Sequence, residues 1–119
     1  MLDPAVRALV GATVATQWSD STQREQHLST FASLRDISIE DAKLLLDEAD
    51  QPQLNPAERL LVRFATKASA EAFEMTNGDM DALAEHGWNE RETIEALTVV
   101  SNVSYIAVAN LALGIDGGS

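Results

Sequence analysis

Asp20, Gln23 and His27 follow one another at intervals of three and four residues, so a helix starting near Asp20 carries all three on about one face, within ~10 Å along its axis. A carboxylate at the first turn is stabilised by the positive end of the helix, whose free amides are also open to a substrate anion. Histidine titrates near neutrality and serves as a general base or proton shuttle. The set therefore reads as a candidate acid–base site, with His27 and Asp20 catalytic and Gln23 orienting the ring or the substrate in proton transfer, hydration or decarboxylation. The alternative is structural: Asp20 caps a helix, and Gln23 and His27 are polar residues on an exposed face.

Other residues join or leave this list on chemical grounds. Trp18 precedes the trio at a helix junction, where an indole either plugs a gap or lids a pocket, and it is a candidate substrate contact. Tyr105, Asn102 and Asn110 interrupt an apolar segment, and buried polar groups need partners, so Tyr105 is a second candidate contact in a pocket or between subunits, with intrachain bonding the alternative. His86, just before Gly87, fits a cation at a helix C-terminus. The two histidines have no short-spaced ligand partner, so no metal site is expected, and no other cofactor is indicated. Ser101 and Ser104 have no histidine or acid near them in sequence, and no triad is indicated.

The elements that must hold these residues are helical. Asp3-Pro4 pairs an N-cap with a first-turn proline, and Val6, Leu9, Val10, Thr13, Val14 and Gln17 follow at helical spacing. Ser19 or Asp20 caps a second helix to about Leu34, with Leu28, Phe31 and Leu34 inward. Ser38 and Asp41 open a third, with Ile39, Ala42, Leu45, Leu46 and Ala49 inward, and Pro52 lies in a connector. Asn55-Pro56-Ala57-Glu58 is the strongest start signal; Leu60, Leu61, Phe64, Ala65, Ala68 and Ala72 form the stripe behind it. A short helix from about Asn77 to His86 turns Met80, Leu83 and Ala84 inward before Gly87. Asn89 and Glu92 start the last helix, which runs to about Leu113 and is apolar or small nearly all round, as a helix buried on every side would be. In a small domain that implies a second subunit as cover.

Composition sets the limits. One hundred and nineteen residues make one domain, 1–119. A net charge of -11, from 19 acids and 8 bases, offers no basic stripe for nucleic acid and disfavours an anionic membrane surface. No uninterrupted apolar run approaches the roughly 20 residues of a membrane span, and Met1-Leu2-Asp3-Pro4 does not read as a signal peptide, so a cytoplasmic location is expected.

Arg7-Ala8, Asp20, Gln23 and His27 also fall at the spacing of the AhpD-like alkylhydroperoxidase and carboxymuconolactone decarboxylase family, whose peroxidases carry Arg-Glu, then Cys-x-x-Cys, then His. Here Asp20 and Gln23 stand in the cysteine positions, Ala8 in the glutamate position, and His27 is retained. Leu54-Asn55-Pro56-Ala57-Glu58-Arg59, Arg63-Phe64-Ala65, Asp79-x-Asp81-Ala82-Leu83, Glu95-Ala96 and Leu113-Gly114-Ile115 resemble the peroxidase-related branch, whereas its Asn-Arg pair falls on Ala107 and Val108. The resemblance implies an all-α, AhpD-like domain of about six helices that forms homo-oligomers. The chain has no cysteine, and a thiol peroxidase needs a thiolate and a resolving thiol, so that activity is not expected. Two expectations follow: a small, partly apolar ligand handled by His27 acid–base chemistry of lyase, isomerase or hydrolase type, or a non-catalytic oligomeric binding or scaffold protein that kept the fold.

Overall fold

The computed structural model describes residues 1–47 and 54–114. Among them are six α-helices and no strand: α1 (Pro4–Gln17), α2 (Ser21–Arg35), α3 (Ile39–Asp47), α4 (Pro56–Ala70), α5 (Asn77–Glu85) and α6 (Glu90–Leu113). A single 3₁₀ turn, Ala72–Glu74, joins α4 to α5. The all-α expectation holds.

Most start signals do what their chemistry requires. Asp3 accepts from Val6 N, and Asn55 and Asn89 each close a reciprocal capping box with Glu58 and Glu92. Ser38 Oγ accepts from Asp41 N at 3.0 Å. One box went unread in the sequence: Thr76 accepts from Asp79 N, and Asp79 accepts in return from Thr76 N. Gly114, at φ 71, ends α6 in the left-handed region that glycine tolerates.

α1 is the hub, packed against α2, α4 and α6. Every residue from Ala5 to Ala15 except Arg7 is buried. Four alanines and Gly11 in that stretch keep its surface low enough for three helices to approach at once. On one side Val6, Val10 and Val14 meet Leu61, Phe64, Leu83, Val100 and Val103. On the other Ala5, Leu9 and Ala12 meet Leu28, Phe31, Ala42, Leu45 and Leu54. α1 thus takes the all-round burial that the sequence suggested for α6. In α6 the buried stripe is Thr93, Ala96, Val100, Val103 and Ala107, while Ile94, Tyr105, Ile106, Val108, Leu111 and Leu113 are exposed. By length and composition α6 qualifies as a membrane span, although its buried stripe packs into the domain's own core.

Four smaller expectations are corrected. Leu34 is 52% exposed, because the inward face of α2 runs through Leu28, Phe31 and Ala32. Gln17 is exposed at the end of α1. Ala84 is exposed, since the nine-residue α5 seats itself through Leu83 with Met80 beside it. α4 stops at Ala70, which leaves Ala72 in the 3₁₀ turn and exposed. Ala49, Pro52 and Ile115 lie outside the described residues.

Ion pairs stitch the helices at the rim. Arg35 reaches the buried Glu58 at 2.6 Å and Asp3 at 3.8 Å, with its guanidinium 5.3 Å from the Phe31 ring centre. Glu95 accepts from Leu2 N at 2.7 Å and from Arg7 Nη2 at 3.3 Å, which ties the start of the chain to α6 and holds its carboxyl below the usual carboxylate range.

The α1–α2 reversal is a Schellman motif: Asp20 N donates to Ala15 O at 2.9 Å and Ser19 N to Thr16 O at 3.1 Å, with Ser19 at φ 55. An L-residue pays for that conformation and a β-branched one pays most. Ser19→Gly is expected to hold or raise stability, and Ser19→Val to lie on the order of 1–2 kcal/mol below it in chemical denaturation.

Candidate functional site

Asp20 is the last residue of the Schellman turn and the N-cap of α2, so its backbone and its side chain are both fixed. Its N–H serves α1, its carbonyl accepts from Arg24 N at 2.9 Å, and Oδ1 accepts from Gln23 N at 3.0 Å. Oδ2 accepts from Gln23 Nε2 at 2.8 Å and from Asn110 Nδ2 at 3.4 Å. The same Gln23 amide donates to Val103 O at 3.1 Å. Asp20 and Gln23 are 2% and 6% exposed. Two amide side chains and a backbone amide converge on one carboxylate, an acceptor-only group that they satisfy. The cluster joins α2 to α6 across about 90 residues of sequence.

Trp18 Nε1 donates to Ser104 Oγ at 3.0 Å, the residue next to Val103 on α6, and the indole packs on the core. It is a second α1–α6 tie. Tyr105, by contrast, is 75% exposed and stands away from the cluster. Asn102 is exposed as well.

His27 follows Gln23 by one turn and is partly buried. It lies flat against Gly11 of α1: a Cβ at residue 11 would fall 2.7 Å from Nδ1 and 2.8 Å from Cε1 and Cγ. Glycine is required there by close approach, not by backbone conformation. Burial lowers the pKa of the imidazole from 6.5, and the Asp20 charge opposes the shift without cancelling it. A neutral imidazole with lone-pair basicity is thus held beside α1 near neutral pH.

The structure therefore brings Asp20, Gln23 and Trp18 together where the α1–α2 turn meets α6, places His27 one turn further along α2, and leaves Tyr105 apart. Sequence reasoning missed Gly11, Ser104 and the Val103 carbonyl as partners; Asn110 was flagged only as a polar residue in an apolar segment. Among the described residues no cluster of three or more metal-ligating side chains occurs. His86 caps α5, with its Nδ1 2.9 Å from Ala82 O, and Trp88 Nε1 donates to Ala57 O at 3.0 Å as a plug between helices. A cavity of about 440 Å³ lies elsewhere, among α1, α3 and α4.

No protein-family model matches this chain, and no curated protein does.

The lowered His27 pKa has a sign. The unfolded chain takes up a proton near pH 6.5 while the folded chain resists it, so stability is complete above 6.5 and falls as pH drops through that value toward the folded pKa. In a histidine-ring NMR titration His27 is expected below 6.5, and lower still in Asp20→Asn, which removes the opposing charge. An Asp20→Asn ring that titrates at or above the wild-type value would show that no such coupling exists.

Proposed function

We propose that this chain is a cysteine-less, AhpD-like helical protein without thiol peroxidase activity, serving as a non-catalytic, self-associating scaffold in the cytoplasm. The observation that carries the reading is the state of Asp20. The position that resembles the family's first thiol holds a carboxylate sealed from solvent and held by Gln23 and Asn110. Three of the roughly four acceptor sites of that carboxylate are taken by the chain's own amides, and at 2% exposure the group is spent on joining helices rather than presented to a substrate.

Self-association is supported by α6. Tyr105, Ile106, Val108, Leu111 and Leu113 are exposed on one continuous helix, an apolar surface of the kind that marks an interface on a protein otherwise covered in charge. A second copy laid along α6 buries this face by a two-fold contact. Sedimentation of the full chain is expected to give a species heavier than the monomer, and Ile106→Glu with Leu111→Glu is expected to return it to the 12.8 kDa monomer with unchanged helix content. The purified protein with peroxide and a dithiol reductant is expected to show no turnover.

A second reading rests on His27. Its partly buried, low-pKa imidazole is suited to act as a base on a small ligand at neutral pH. That reading requires a hydrolase, lyase or isomerase activity that is lost by at least about a hundredfold in His27→Ala and whose acid limb lies below pH 6.5. An activity that survives the substitution removes it.

A further inference from the structure

Between α3 and α4 the helices diverge and leave the hollow of about 440 Å³, a size typical of ligand sites, which run from roughly 300 to 1,000 Å³. Its floor is Leu45, Leu46, Leu54 and Val62. It deepens toward α1 into a further space of about 60 Å³ bounded by Thr13, Thr16 and Thr66. The hydroxyls of these threonines donate to Leu9 O, Ala12 O and Val62 O, at 2.8, 2.8 and 2.9 Å, so their protons are spent on their own helices. Leu46 and Val62 give the rest of that end an apolar wall, with the Gln17 carboxamide at its edge, and an occupant's inner part is therefore mainly apolar.

The rim differs. Arg63 and Lys67 stand one turn apart on α4, two of only eight basic residues in a chain of net charge -11. Both also line a smaller hollow of about 110 Å³ toward α5, so the two spaces meet at these cations. Lys67 Nζ donates to Asp79 Oδ1 and Oδ2 at 3.1 and 2.9 Å, and an ammonium carries three protons, which leaves one direction for an incoming acceptor. Glu71, one turn further on, also lines the rim, so an anionic group is best placed at the Lys67 side, away from Glu71.

We infer that this hollow binds a small amphipathic carboxylate, with its apolar tail on Leu45, Leu46, Leu54 and Val62 and its headgroup at the remaining proton of Lys67. The site is separate from the Asp20 cluster, and its occupation does not depend on what His27 does.

The test uses decanoate, decan-1-ol and decyltrimethylammonium as probes on the full chain, by calorimetry and amide chemical-shift mapping below their micellar concentrations. Decanoate is expected to saturate one site and to move amides of α3 and α4, with decan-1-ol at least about tenfold weaker, one decade being 1.4 kcal/mol, and the cation weaker still. Lys67→Met is expected to reduce decanoate affinity about tenfold while leaving decan-1-ol unchanged. Val62→Trp, which fills the hollow, is expected to abolish both; Leu46→Gln, at a half-buried position, serves the same purpose if the larger ring prevents folding. Decanoate binding that survives both Val62→Trp and Leu46→Gln, a cation that binds as well as the anion, or shifts that map outside α3 and α4 would each overturn the assignment.

Discussion

The fold depends on a single buried carboxylate. Asp20 ends one helix, begins the next and holds a third, using its N–H for Ala15, its carbonyl for Arg24 and both side-chain oxygens for Gln23 and Asn110. Such a group is costly to bury unless both oxygens are hydrogen-bonded, and a neighbourhood arranged to bond them is then fixed in position. The angle between α1 and α2, and the placement of the α6 C-terminal half against both, follow from that requirement. Trp18 and Ser104 repeat the tie on the α1 side.

A second constraint is the low profile of α1. Three helices can share it because alanines and Gly11 keep it narrow, and His27 occupies the approach at Gly11. The consequence reaches the chemistry. The imidazole is desolvated by the packing that the core requires, so its lowered pKa is a by-product of α1 acting as hub. Any use of His27 as a base would draw on a shift already present for structural reasons.

Local chemistry was legible in the sequence and distant chemistry was not. The caps at Asp3, Asn55 and Asn89 were readable because a cap oxygen and the amide it serves lie three residues apart, and nothing tertiary competes for them. Thr76 with Asp79 went unread although the helix start was placed at Asn77, one residue after the cap. The end of α4 carried no glycine or proline to mark it, and Ala72 continued the stripe past the point where the helix stops. The pairing of Asp20 with Asn110 spans 90 positions and depends on how α6 crosses α2. The exchange of roles between α1 and α6 has the same origin. Apolar pattern states how much of a helix is fit for burial, and neighbour count decides how much of it is buried within one chain.

That difference gives α6 its meaning. Its length and apolar character exceed what the other five helices cover, and the surplus lies on Ile106, Val108 and Leu113, which flank the stripe through Ala96, Val100, Val103 and Ala107, and on Leu111, which continues that stripe one turn past Ala107. At roughly 25 cal/mol per Å² of apolar surface removed from water, several such side chains favour association by several kcal/mol before its entropic cost is met. A membrane competes for the same surface in principle. Withdrawing α6 into a bilayer would break the core that Val100 and Val103 complete and strip Asp20 of Asn110 and Gln23 of the Val103 carbonyl. An uncompensated buried carboxylate costs more than the exposed face gains from lipid that a second protein surface would not also give it. The clamp at Asp20 therefore does two things at once: it holds α6 within the domain, and it leaves Ile106, Val108, Leu111 and Leu113 uncovered by the other helices.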